Sequence, residues 1–220
     1  SLEIAPINNK GEIITEDLIS MIDESVVLVS ISHVSNALGS VSEVKKIVQA
    51  AHKNGVPVLV DGAQSIPHMK VDVGELNADF YVFSGHKMHA PTGTGILYGK
   101  EDLLEKMPPY KSGGDMILEV KFTGTTYNDL PYKFEAGTPN ISGVAGLGAA
   151  VSYLRKIGMN NIESHEKNLL EYMSLELRNV DGINLIGNAD NKIGVQSFTL
   201  ENIHSHDIGT ILDHQGVAIR

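Results

Sequence analysis

The chain has 220 residues, 42% of them apolar, and 17 basic against 27 acidic side chains give a net charge of −10. Such a charge argues against non-specific nucleic-acid binding and against an anionic membrane surface, but it leaves open a small anion held by local positive charge and oriented N–H groups. Cysteine is absent, which excludes disulfides and thiolate metal sites within these residues, and with no bilayer-length apolar run and no leader-like start the expected home is the cytoplasm.

Thr15 to Asp23 predicts a short helix. Val26-Val27-Leu28-Val29-Ser30-Ile31 then reads as a buried strand, as do Val56-Pro57-Val58-Leu59-Val60 and Phe80-Tyr81-Val82-Phe83. Gly95-Ile96-Leu97-Tyr98 is a shorter candidate. Near-continuous apolar runs fit strands covered on both faces, as in a parallel sheet. Between the first two runs, Val41, Val44, Ile47, Val48 and Ala51 fall on one helical face of Ser40–Asn54. Ser40 and Glu43 have the spacing of a capping box, and Gly55 supplies the stop. Strand, helix, strand here predicts a crossover unit.

Glu101 to Met107 predicts another helix, ended by Pro108 and Pro109. Residues 110–140 carry Gly113, Gly114, Gly124 and Gly137 with little periodicity. They predict an irregular segment, which in a compact enzyme is usually functional. Two helices follow over 142–156 and 160–179, then a strand at Val195–Leu200, a helix at His206–His214 and a strand beginning at Val217-Ala218-Ile219. A chain that stops inside an element reads as a piece of a longer one.

The chemistry concentrates at the ends of the strand-like runs. Ser84, His86 and Lys87 follow one buried strand, and the carboxyl edge of an open α/β sheet is where ligands bind. A lysine there can be desolvated, which makes its amine nucleophilic and able to form a Schiff base. Asp61 ends the preceding run and would lie at the same edge. A pyridoxal-phosphate (PLP) enzyme needs a carboxylate against the pyridine nitrogen, so that the ring accepts electrons. Gln64 would reach a ring substituent, Ser84 and His86 suit phosphate oxygens, and Asn36 follows the earliest strand to the same edge. Taken singly, Lys87 reads as a solvated loop lysine, Asp61 as a turn or helix-cap aspartate and Gln64 as an exposed polar residue. The joint pattern points to one cofactor. His204-Ser205-His206-Asp207 has no second ligand cluster and reads as a helix start rather than a metal site, and Asp181-Gly182 as a turn.

The run Asp79 to Lys87 resembles the PLP-attachment signature of the class V aminotransferases. Phe83-Ser84-Gly85-His86-Lys87 followed by Pro91 to Gly99 is similar to the Suf-type cysteine desulfurases, a group within that family. Further matches are Ser32 to Asn36, Val60 to Gln64, Phe134 to Asn140 and His206 to Asp213. The resemblance implies an α/β fold: a central, mostly parallel sheet sandwiched by helices as a large PLP-binding domain, with the start of a smaller α+β C-terminal domain. Residues 1–141 would belong to the large domain, and 142–220 would hold a linking helix and an incomplete small domain.

The resemblance also implies roles. Lys87 matches the lysine that binds PLP covalently and moves protons at the substrate α-carbon. Asp61 matches the pyridinium partner, Gln64 the partner of the phenolic oxygen, and Ser84 and His86 phosphate ligands. Asn36 matches an asparagine near the substrate carboxylate, and Arg220 an arginine beside the substrate. Thr138 matches a threonine that reaches the phosphate of the neighbouring subunit, so a homodimer is expected. The implied activity is removal of sulfur from L-cysteine, giving alanine and a protein persulfide for iron–sulfur cluster assembly through a sulfur-acceptor protein. A selenocysteine or cysteine-sulfinate lyase, a true aminotransferase, and an inactive truncated module are the other readings. Three departures stand out. The family's nucleophilic cysteine lies beyond an arginine like Arg220, and no cysteine is present. The family's N-terminal phosphate turn and ring-stacking residue have no counterpart. His89-Ala90 stands where relatives commonly carry tyrosine and glycine.

Overall fold

A computed structural model describes residues 1–220. Its main sheet has four strands in the order β1 (Val29–Ser32), β2 (Val58–Asp61), β3 (Phe80–Ser84) and β4 (Gly95–Gly99). The first three run parallel and β4 returns antiparallel beside β3. Around them lie α1 (Thr15–Ser20), α2 (Val44–Lys53), a single turn α3 (Val73–Leu76) and α4 (Glu101–Lys106). The result is a mostly parallel sheet flanked by helices, the α/β class expected from the apolar runs.

α2 forms for the reason its sequence suggests. Val44, Ile47, Val48 and Ala51 recur at helical spacing and are all buried against Val29, Ile31, Val58 and Val60. Gly55 closes the helix with φ 70°, a left-handed conformation that costs glycine little. The expected capping box does not form. The helix starts at Val44, Glu43 caps it without a side-chain hydrogen bond, and Ser40 Oγ instead donates to the Gly11 carbonyl at 2.8 Å. Val41 falls outside the helix and bridges Val34. Tertiary contacts thus won over the local motif.

Burial alternates along β1: Val29 and Ile31 are covered, Ser30 and Ser32 exposed. On β2, Val58 and Val60 are covered while Asp61 is exposed. Val26 to Leu28 precede the paired part of the strand, and Val27 and Leu28 are exposed. The opposite edge of the sheet is tied by Asp79. Its carboxylate accepts from Val58 N–H at 2.7 Å, His52 Nε2 at 2.7 Å and Lys100 Nζ at 2.8 Å.

The remaining elements are α5 (Ile141–Ile157), α6 (Met159–Arg178), a hairpin β7 (Ile183–Ile186) and β8 (Ser197–Leu200), and α7 (Ser205–His214). Several segments differ from expectation, among them β7, a strand that the apolar runs did not predict. Residues 110–140 contain a hairpin, β5 (Ile117–Lys121) with β6 (Gly124–Tyr127), whose side chains are mostly exposed and so leave no burial pattern to read. Val217 to Ile219 form no strand, because no neighbouring strand takes them up. No helix is long and apolar enough to cross a membrane.

Candidate functional site

Parallel pairing brings the carboxyl ends of β1, β2 and β3 to one edge of the sheet, the edge at which open α/β sheets bind ligands. Asp61 is the last residue of β2 and Ser84 the last of β3. Asn36 is exposed in the turn that follows β1.

Asp61 is fixed at its backbone from both sides. Its carbonyl accepts the His33 N–H at 2.8 Å, and the Gly62 N–H donates to the Val82 carbonyl at 2.7 Å. The side chain is exposed, and Oδ1 accepts the Ala63 N–H at 2.9 Å. That single bond orients the carboxylate and leaves Oδ2 available to a donor from outside the chain. The Gly62–Ser65 turn then carries the half-buried Gln64.

β3 runs directly into a 3-10 turn, Gly85–Met88. The Gly85 N–H donates to the Thr94 carbonyl at 2.9 Å. A Cβ on Gly85 would lie 2.4 Å from Thr94 Oγ1, so the close approach requires glycine. At the other end of the turn, Met88 is buried with Leu147 and Leu154 of α5. Lys87 is held between these anchors, half-buried, and forms no ion pair with a carboxylate. Ser84 Oγ and His86 Nδ1 lie 2.7 Å apart, so a hydroxyl and an imidazole converge beside the lysine. His89 ends the turn at φ 68° and meets Tyr153 edge to face, with ring centroids 6.2 Å apart. His89 thus attaches the turn to α5 a second time.

Asp61, Gln64, Ser84, His86 and Lys87 therefore share one edge, with Asn36 beside them. Thr138 and Arg220 are both exposed, and no hydrogen bond joins either to that group. His204 caps α7, its Nδ1 accepting the His206 N–H at 3.2 Å.

Beneath the turn lies a set of residues that received no role from sequence alone. Tyr81, only 1% exposed, has its hydroxyl 2.6 Å from Ser65 Oγ and 3.0 Å from His33 Nδ1. Burial pushes the His33 imidazole down to about 4. Burial pushes the Tyr81 phenol up to about 12; the Ser65 hydrogen bond opposes this and the Asp61 charge adds to it. The available signal was a tyrosine inside an apolar strand, because a buried phenol must find a partner.

The chain matches the family described as "Aminotransferase class-V" over residues 1–220. It is 47% identical over 220 residues to a cysteine desulfurase of Shigella sonnei (strain Ss046), covering all of this chain and 54% of that protein. It is equally similar, at the same coverage, to a probable cysteine desulfurase of Halalkalibacterium halodurans. Among solved structures, the apo cysteine desulfurase of Thermococcus onnurineus NA1 superposes with TM-score 0.94 at 37% identity, covering 100% of this chain and 55% of that one. The chain thus spans about half the length of the curated relatives it matches.

Proposed function

The chain belongs to the class V aminotransferase family, and from that premise we propose that it is part of a PLP-dependent cysteine desulfurase, which takes sulfur from L-cysteine and leaves alanine. The observation that carries this reading is the meeting of one carboxylate, one amine and a hydroxyl–imidazole pair at the carboxyl ends of adjacent parallel strands.

The donor set fits PLP. Asp61 offers an exposed carboxylate with one oxygen unpartnered, Lys87 an amine with no counter-ion, and Ser84 with His86 a hydrogen-bonded hydroxyl–imidazole pair that can donate to an anion. Bound PLP supplies an electron sink for the substrate α-carbon. Asp61 holds the proton on the pyridine nitrogen. Gln64 donates to the phenolic oxygen, and Ser84 and His86 bind the phosphate. Lys87 Nζ is the amine that would hold the cofactor and move protons at the substrate α-carbon. Asn36 and Arg220 orient the substrate carboxylate. The thiol that receives sulfur lies outside these residues, since the sequence has no cysteine.

Further elements of the proposal concern the whole protein. Thr138 reaches the phosphate of a partner subunit in a homodimer. Residues 1–141 belong to the large domain, and 142–220 to the linking helix and small domain. The protein is cytoplasmic, and its persulfide passes to a sulfur-acceptor protein for iron–sulfur cluster assembly.

The test is borohydride reduction of the full-length protein after incubation with PLP, followed by peptide mapping. The expected result is stable label on the peptide containing Lys87, lost in Lys87→Ala, together with alanine production from L-cysteine. Equal label in wild type and variant removes Lys87 from the assignment, and labelled protein that forms no alanine from L-cysteine removes the substrate.

A further inference from the structure

We propose that His33, Tyr81 and Ser65 form a buried positioning network that holds the Asp61–Ser65 turn in the shape presenting Asp61 and Gln64 to the cofactor ring. The inference rests on the PLP reading above and extends it to residues that do not touch the cofactor.

Each member comes from a different element. His33 is the first residue past β1, Ser65 closes the turn after β2, and Tyr81 lies inside β3. All three are buried, at 5%, 0% and 1% exposure. The direction of the hydrogen bonds follows from one acceptor that cannot donate. Ser65 Oγ donates to the Gly62 carbonyl at 3.0 Å. A serine hydroxyl has a single proton, so Tyr81 must donate to Ser65 across their 2.6 Å contact. The Tyr81 oxygen is then free to accept from His33 Nδ1–H at 3.0 Å. The chain therefore runs His33 to Tyr81 to Ser65 to the Gly62 carbonyl, and it ends on the residue next to Asp61.

The Tyr81 ring also supports the turn sterically. A Cβ on Gly62 would fall 2.0 Å from Tyr81 Cε1 and 2.3 Å from its hydroxyl oxygen, so backbone and ring are in direct contact. His33 adds a second hold, since its N–H donates to the Asp61 carbonyl at 2.8 Å. A phenylalanine at 81 would fill the same space in the core. What the hydroxyl adds is connection, and both its partners are themselves bonded to Asp61 or Gly62. A one-ångström drift of a supporting group is enough to loosen a catalytic constellation.

The experiment uses the full-length, PLP-loaded protein and the variants Tyr81→Phe, Ser65→Ala and the double variant. Three readouts are taken: the PLP dissociation constant, the pH at which the visible PLP band titrates, and the melting temperature without PLP. The expected result is PLP binding weakened about tenfold in each single variant, as befits one lost hydrogen bond to a positioned turn. The band's titration should move in both, and the double variant should be no worse than the poorer single, because the hydroxyls act through one chain. Ser65→Ala removes only an oxygen, so it keeps the test open if Tyr81→Phe does not fold. Variants that melt lower but bind PLP and titrate like wild type overturn the proposal, leaving a stabilising network only. Should the wild-type protein fix no PLP on Lys87 under borohydride, the cofactor reading fails and this inference with it. If it does label and the variants are indistinguishable from it, the network alone fails.

Discussion

His33 makes folding stability depend on pH in a calculable way. Its imidazole titrates near 6.5 in an unfolded chain and is pushed down to about 4 by burial in the folded one. Between those values the unfolded chain binds a proton that the folded chain does not. Stability therefore rises with pH from about 4 to about 6.5, is fully present above that, and is lost as pH falls through the window. The gap of about 2.5 units corresponds to about 3 kcal/mol at 1.36 kcal/mol per unit, and residual structure in the denatured state trims it. Urea unfolding at pH 7, 6, 5 and 4.5, followed by circular dichroism, measures the slope. His33→Asn supplies the control, because its amide nitrogen stands where Nδ1 stood and still donates to Tyr81 but does not titrate. The variant starts lower at pH 7, having lost ring packing, and should fall less steeply. Wild type and variant running parallel from pH 7 to 4.5 would refute the argument that burial holds this histidine neutral.

Other expectations follow from the packing. For Asp79, burial alone would raise the carboxyl, but hydrogen bonds from Lys100, His52 and the Val58 N–H outweigh it and hold it below the usual carboxylate range. Its contribution is thus present above about pH 4 and disappears as pH drops below that, and Asp79→Asn should cost about 2–3 kcal/mol at pH 7 by urea unfolding. Ile47→Ala, at a fully buried position between α2 and the sheet, should cost about 3 kcal/mol and lower the melting temperature by roughly 6–12 °C. A drop under 2 °C would mean the site is not packed as described. Phe122→Ser, at the fully exposed tip of the β5–β6 hairpin, should change stability by less than about 0.5 kcal/mol. It should reduce self-association in sedimentation, since it removes exposed apolar surface.

The parts of this fold that were legible in the sequence are those where burial writes a period. The α2 stripe and the apolar runs of β2 and β3 are such cases, and their polar ends gave Asp61, Ser84, His86 and Lys87. Where burial is absent, so is the pattern. The β5–β6 hairpin exposes Leu118, Val120 and Phe122, and it read as an irregular segment. The pairing of β7 with β8 joins residues eleven to seventeen apart, a relation that periodicity within either strand does not encode. Ser40 failed as a cap because its hydroxyl found Gly11, a contact of long sequence separation. The network under Asp61 was hidden for a similar reason: His33, Ser65 and Tyr81 meet only after three strands have paired.

The antiparallel return of β4 has a mechanical consequence for Lys87. Ser84 and Gly95 are register partners, and Gly85 bonds to Thr94, so residues 85–94 leave the sheet and rejoin it at the same place. The amine rides on a tether clamped at both feet by one hairpin ladder. Both flanks leave the ladder at its Phe80–Gly99 end, so tension on the chain opens it rung by rung from there, and the Ser84–Gly95 rung beside the lysine is the last to part.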